Sequence, residues 1–289
     1  MVPELWRERA FDTACLLAGV AGKVFRVKIT RPIFIIGTGR CGSTLLVNIL
    51  NTHPMLSGFP GEANELWHCS LEPFETTLLN IPPIEIDPKR FCEVSVANWP
   101  PNHGESIRDT FTGFHLITGP SKTFFTKSAM ISFMIPKILE VFPDARFMHI
   151  YRFGPSVVES YVHKNFGKYS RFAFTEKDYR AHCARYWNAC IVEIEQQKQD
   201  LSLEAKGQLL EFSYECLCQN PRKVLEGIAT FIGVRLDEFR VDVSRISSRN
   251  YKGVDYARDP ERTELLDVMS PAMRLKDYVF DRPHLGLSG

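Results

Sequence analysis

The chain has almost no net charge: 35 Lys and Arg stand against 34 Asp and Glu, leaving +1 over 289 residues. That balance gives no support to bulk binding of nucleic acid or an anionic membrane, so any basic site must be local. None of the eight cysteines forms a C-x2-C pair, which argues against a structural zinc site. No N-x-[ST] acceptor occurs anywhere. The N-terminal apolar patch at 14–20 is far shorter than the about 20 residues that a membrane span needs, and it lacks a secretory cleavage pattern. The chain therefore reads as cytoplasmic, with reduced thiols. There is also no internal repeat and no low-complexity stretch. A hydrophobic fraction of 44% beside 24% charge excludes disorder and suits one large domain.

What is present centres on residues 33–46. Ile33, Phe34, Ile35 and Ile36 form a β-branched apolar run that predicts a buried strand. Gly37-Thr38-Gly39-Arg40-Cys41-Gly42 follows, and Ser43-Thr44 opens a helical run. Strand, glycine loop and helix start make a phosphate cradle: glycines let amides point inward, and the helix N-terminus carries partial positive charge. Gly37-x4-Gly42-Ser43-Thr44 has the spacing of a nucleotide-binding P-loop, but Ser43 stands where that motif has Lys, and the cation is Arg40 inside the loop. A nucleoside-triphosphate enzyme needs that lysine, so this loop suits a phosphate carrying a different group.

Along the chain, a helix is expected over 3–22, a strand over 24–29, and a second short helical pattern from Glu62 through Trp67. Seven of the 18 prolines fall between 73 and 120, which predicts an irregular cap over about 70–122, inserted into a single domain. Its aromatics Phe74, Phe91, Trp99, Phe111 and Phe114 read first as packing and second as the wall of an acceptor pocket. A strand ending in Lys127 precedes a helix over 128–142 bent at Pro136, and a strand over 146–151 ends before Arg152. Gly154-Pro155 reads as a break, with a helix over 157–165. A long helix over 175–199 opens on a Thr175/Asp178 capping box. A strand over 208–212 precedes Tyr214, and Asn220-Pro221 opens a helix closed by Gly233. Residues 247–259 read as loop, and Ser270-Pro271 starts a last short helix. This alternation predicts an α/β fold: a parallel sheet with helices on both faces and ligands at the carboxyl ends of the strands. Arg40, Lys127, Arg152 and Tyr214 each fall at such an end.

Three ordered motifs resemble the sulfotransferases that use 3′-phosphoadenosine 5′-phosphosulfate (PAPS). Residues 33–44 resemble that family's 5′-phosphosulfate loop, nearer the arginine-containing version of tyrosylprotein and bacterial enzymes than the lysine version of animal cytosolic ones. Arg152 with Ser160 resembles its 3′-phosphate motif. Tyr214-Glu215, Leu217 and Asn220-Pro221 resemble its adenosine segment. Two positions depart: Gly39 replaces a proline, and Arg152-Phe153-Gly154-Pro155 lacks the aspartate of Arg-Asp-Pro.

The resemblance implies a P-loop-like fold and a set of roles. Gly39, Arg40, Cys41, Gly42, Ser43 and Thr44 would hold the 5′-phosphate, and Arg40 would bridge it to the sulfuryl group. Arg152 and Ser160 would hold the 3′-phosphate, Tyr214 would meet adenine, and Arg249 and Lys252 would return to the 3′-phosphate. His53-Pro54, Gly61 and Glu62 resemble a segment whose Glu is the proposed base, and Lys127 matches a lysine that steadies sulfuryl oxygens. His53, His115, His149 and His163 are the other candidate bases. No metal is implied, because the strand over 146–151 ends in Arg152 rather than a magnesium-binding Asp. The expected reaction is sulfuryl transfer to a hydroxyl or amine of a small-molecule acceptor. The alternatives are an ATP-dependent P-loop phosphotransferase and a non-catalytic nucleotide-binding module. Oligomeric state is not legible.

Overall fold

A computed structural model describes residues 2–25, 27–67, 88–169, 175–247 and 259–278. The core of the fold is a sheet of β1 (Ile33–Ile36), β2 (Leu56–Gly58), β3 (Thr123–Lys127), β4 (Arg146–Tyr151) and β5 (Leu209–Ser213). Their order is β2-β3-β1-β4-β5, and every neighbouring pair is parallel. All of β1 and β4 is buried, as strands covered on both faces must be. The register sets Ile33 opposite Phe125 and Arg146, and Ile35 opposite Lys127 and Met148.

The pleat divides the apolar side chains between two layers. Phe34 and Ile36 join Phe111, Phe124, Phe142 and Phe147 on one face. Ile33 and Ile35 join Leu46, Phe125, Met148 and Ile150 on the other. Helices α1 (Val2–Phe25), α2 (Ser43–Leu50) and α3 (Asn64–Trp67) precede β3, as do α4 (Pro88–Ala97) and α5 (His103–Thr118). A 3-10 turn, Met130–Phe133, and α6 (Ile135–Val141) lead to β4; α7 (Gly154–Tyr169) and α8 (Glu176–Asp200) lead to β5. Beyond β5 come α9 (Tyr214–Gln219), α10 (Pro221–Ile232) and α11 (Pro260–Leu275). Among the described residues no helix is long and apolar enough to cross a membrane.

Several local expectations are corrected. Residues 24–25 and 27–29 are not a strand: α1 continues to Phe25, and the apolar Val24 and Phe25 lie on its outer side, 68% and 67% exposed. The proline-rich segment is helical where it is described, not irregular. Pro88 starts α4, Pro100 and Pro101 fall between α4 and α5, and Pro120 follows α5. Proline forbids a helix interior, not its ends, so these prolines separate two helices. Phe111 and Phe114 belong to the core and Trp99 packs against it: Phe111 stacks on Phe142 at 5.7 Å and Trp99 lies 6.1 Å from Trp67. Residues 68–87 of the expected cap lie outside the described residues.

The run over 128–142 is not one bent helix but a 3-10 turn and α6, whose first turn contains Pro136. Gly154 and Pro155 open α7 rather than break the chain. Pro271 sits inside α11, where the N–H of Ala272 donates to Oδ1 of Asn188 at 3.0 Å. The Thr175/Asp178 capping box forms as its spacing predicts.

Behind β4 and β5 lies a buried charge cluster. Nδ1 of His149 meets Glu211 at 2.6 Å, and Lys276, just past the end of α11, bonds both Glu195 and Glu211. His149, Glu195 and Glu211 are close enough to suit a metal ion, but the ammonium of Lys276 already bridges the two carboxylates. Burial, with the charge of Lys276, lowers the pKa of His149 and keeps its ring neutral. Burial alone would raise the Glu211 carboxyl; the bonds from His149 and Lys276 outweigh it and hold that group far below the usual range.

Candidate active site at the carboxyl ends of the strands

The chain passes from β1 out to the edge strand β2, returns through β3, and then crosses to β4 and β5. Strand order therefore reverses at β1, where open α/β sheets bind ligands. The loop after β1 carries three residues with positive φ: Gly37 at 142°, Arg40 at 65° and Gly42 at 104°. A Cβ on Gly37 would lie 2.3 Å from the carbonyl oxygen of Ile150, and one on Gly42 would lie 2.4 Å from Cδ2 of Tyr214. Glycine is thus required at both positions by conformation and by contact.

The loop is pinned from below. Oγ of the buried Ser132 accepts from the N–H of Gly37 at 2.9 Å and donates to its carbonyl at 3.0 Å. Gln197 holds that turn in place, donating to the Ser132 carbonyl at 3.1 Å and accepting from the N–H of Ile135 at 3.0 Å. Gly42 caps α2, whose first-turn amides have no intrahelical acceptor and face outward with the positive end of the dipole. The Arg40 and Thr44 side chains are exposed beside them, and Ser43 is half-buried. Cys41 points into the core, so only its backbone faces the cradle. Burial raises its thiol pKa, against smaller lowering from Ser43 and the charge of Lys127.

The second group comes from β4 and α7. Nε of Arg40 donates to Oγ of Ser160 at 3.1 Å, and Arg152 donates to the carbonyl of Arg40 at 3.1 Å. The guanidinium of Arg152 also lies 4.4 Å from the centre of the Tyr214 ring, a cation–π contact. Arg152, Ser160 and Tyr214 are each 5% exposed. Trp187 holds the carbonyl of Arg152 at 3.1 Å. Glu215 accepts from the N–H of Phe153 at 3.2 Å and from the hydroxyl of Tyr278 at 2.9 Å. Burial raises the Glu215 carboxyl, with those bonds opposing.

The third group is an ion pair between Glu62 and Lys127. Lys127 ends β3 beside the phosphate loop, near enough for its charge to act on Cys41. Its side chain is 15% exposed and that of Glu62 is 40% exposed, so the carboxylate is the partner open to an incoming molecule. Glu62 precedes α3 by two residues and is not part of that helix.

Residues placed far apart in the sequence are thus gathered on one rim: Gly39 to Thr44, Arg152, Ser160, Tyr214, Glu62 and Lys127. Arg249 and Lys252 lie outside the described residues. Three histidines are committed elsewhere: His53 bonds the carbonyl of Arg235 at 3.0 Å, His115 is buried with its pKa lowered by burial, and His149 bonds Glu211. His163 is exposed on α7. The sequence reading missed Ser132 and Tyr161. Neither carries a local motif, although Tyr161 follows Ser160 and its hydroxyl fills the space that a Cβ on Gly39 would need, 2.0 Å away.

Two guanidinium groups, the hydroxyls of Ser43, Thr44 and Ser160, and a helix N-terminus form the donor set of a polyanion site. A family model described as "Sulfotransferase family" matches residues 32–238. The chain belongs to the sulfotransferase family. That family's sulfate donor is PAPS, and the donor set fits its two phosphate groups. Solved structures share the fold of this sulfotransferase. STF9 from Mycobacterium avium is 14% identical with a TM-score of 0.63, covering 94% of this chain and 86% of that one. A sulfotransferase from Alicyclobacillus acidocaldarius is 16% identical with a TM-score of 0.55, covering 88% and 97%. STF1 from Mycobacterium tuberculosis H37Rv is 16% identical with a TM-score of 0.54, covering 92% and 85%. At these identities the likeness establishes the fold alone. No curated protein matches the chain in sequence.

Proposed function

We propose that this sulfotransferase moves the sulfuryl group of PAPS to a hydroxyl or amine of a small-molecule acceptor, with Glu62 as general base. The observation that carries this reading is the Glu62–Lys127 ion pair beside the phosphate loop. PAPS supplies a sulfuryl group on a phosphate that leaves. The first-turn amides of α2, the hydroxyls of Ser43 and Thr44, and Arg40 hold the 5′-phosphate. Arg152 and Ser160 hold the 3′-phosphate. Tyr214, largely covered by Gly42 and Arg152, serves as the platform that keeps both in place more than as an open adenine contact.

Glu62 takes the proton of the acceptor as its oxygen or nitrogen bonds to sulfur. The sulfur–oxygen bond to phosphate breaks, and its electron pair stays on the phosphate oxygen. Arg40 and the α2 amides face the charge that builds there. Protonation of Glu62 releases Lys127 from its partner, and the freed ammonium turns to the sulfuryl oxygens. The seven described cysteines are free thiols, which favours a reducing, cytoplasmic setting.

Thermal melting of the full chain in EDTA tests the donor site. At 100 times its dissociation constant, 3′-phosphoadenosine 5′-phosphate (PAP) adds about 2.7 kcal/mol, a rise on the order of 5 °C. The rise disappears in Arg152→Ala. A rise with ATP and Mg²⁺ but none with PAP sinks the reading. Once an acceptor is found by screening phenols, alcohols and amines with PAPS, Glu62→Gln lowers kcat at least 100-fold, on the scale of a lost general base, and leaves the PAP-induced rise intact. Unchanged turnover in that variant removes Glu62 from the chemistry.

A further inference from the structure

Glu62 is held at both oxygens. Oε1 meets Lys127, and Oε2 accepts from Nδ2 of Asn64 at 3.3 Å. The amide of Asn64 is itself oriented. Its Oδ1 accepts from the hydroxyl of Ser128, and Oγ of Ser128 accepts from the N–H of Met130 at 3.0 Å. Ser128 is 1% exposed, so no bulk water competes for that hydroxyl. A serine hydroxyl has a single proton to give. With the Met130 N–H on its acceptor side, that proton goes to Asn64 Oδ1. The NH₂ edge of the amide is then the one left for Glu62.

We propose that Asn64 and Ser128 are positioning residues: a directional hydrogen-bond chain from the Met130 amide through Ser128 and Asn64 that orients the Glu62 carboxylate. The proposal rests on the reading of Glu62 as the base. An ionised carboxylate is acceptor-only, so an amide turned the wrong way would set oxygen against oxygen. Ser128 prevents that turn. It also leads into the 3-10 turn whose Ser132 grips Gly37, so one short stretch sets the base and the phosphate loop against each other. Among the described residues the charged group bonded to Glu62 is Lys127, from β3; α3 supplies the neutral Asn64, and the turn after β3 supplies the neutral Ser128.

A purely structural role for these two residues, as local braces of α3 and of the turn, predicts changed stability and nothing else. The discriminating measurement is an NMR pH titration of the full chain, carbon-13-labelled at glutamate carboxyls and saturated with PAP. The Glu62 signal is identified by its loss in Glu62→Gln. Asn64→Ala removes the donor without adding a charge, so the Glu62 midpoint moves up by about half a pH unit or more, about a threefold change in proton affinity. Ser128→Ala moves it the same way by less, and Ser128→Thr restores the wild-type curve. Should Asn64→Ala fail to fold, Asn64→Leu replaces it with the same direction expected. Superimposed curves for wild type and a folded Asn64 variant overturn the proposal, as does a Ser128→Thr curve displaced as far as that of Ser128→Ala. The two readings separate cleanly. An active Glu62→Gln beside a displaced Asn64 curve removes the base role alone. An inactive Glu62→Gln beside superimposed curves removes the relay alone.

Discussion

Gly42 shows what one missing Cβ does. Its φ is 104°, and a methyl group there would overlap the Tyr214 ring, which Arg152 covers from another side. Gly42→Ala combines left-handed strain of about 1–2 kcal/mol with overpacking of about 1–3 kcal/mol. The expected loss is about 3 kcal/mol in urea unfolding, with the PAP-induced melting shift abolished. Gly233 is the internal control. Its φ is 86°, but a Cβ there would meet nothing within 4 Å. Gly233→Ala therefore costs only the strain, about 1 kcal/mol, and leaves the PAP response unchanged. Equal losses in the two variants would contradict the assigned contact between loop and ring. The glycine spacing was legible because loop chemistry is local. The ring that enforces Gly42 was not, since Tyr214 arrives from the end of β5.

At the scale of elements, α1 and α5 approach through glycine. A Cβ on Gly22 would lie 1.9 Å from the carbonyl oxygen of Asp109, and one on Gly113 would lie 1.9 Å from that of Ala18. Both obstacles are backbone, so rotamer changes cannot relieve them. Gly113→Ala is expected to separate the helices locally and to cost about 2 kcal/mol, within the usual range for overpacking. Hydrogen exchange should quicken in α1 and in the facing part of α5, while PAP binding persists because β1, α2 and Arg152 lie elsewhere. Loss of PAP binding in that variant would show that α1 braces the donor site. The expected strand at 24–29 fails at its start: Val24 and Phe25 are the exposed last residues of α1, a helix that packs on α5 through its other face. The helices at 88–118 were hidden for a different reason. Proline density records where elements stop, and says little about what lies between the stops.

For the whole molecule, acid stability follows from buried neutral histidines. Burial, with the charge of Arg185, lowers His182 to about 4, and burial lowers His149 as well. Both folded values lie below the unfolded value, so between roughly pH 6.5 and 4 the unfolded chain binds protons that the native protein does not. Stability therefore rises with pH across that window and is lost as pH falls. Glu211, held low in the native state, extends the loss further into acid. A gap of about 2.5 pH units is worth about 3 kcal/mol at most. In urea unfolding at pH 7.5, 5.5 and 4.5, His182→Leu should lose less stability than wild type on acidification, by up to that amount. Parallel pH curves would mean that His182 is protonated in the folded protein.

The amino-acid sequence by itself determined the parts whose physics is local: a β-branched strand, glycines where φ turns positive, a helix start at Ser43, the Thr175 capping box, and cations placed at strand ends. Those signals were enough to indicate a parallel α/β sheet with a phosphate loop; the sulfotransferase reading came from the resemblance of three motifs to that family. Tertiary structure alone decided the pairings. Arg40 meets Ser160 across 120 residues, Glu62 meets Lys127 across 65, and Asn64 meets Ser128 across 64. Each pairing depends on the strand order β2-β3-β1-β4-β5, which sets the ends of β1, β3, β4 and β5 on one rim. Periodicity and turn chemistry report what a residue does to its own backbone; which distant side chain it will touch is settled only when the sheet closes around it.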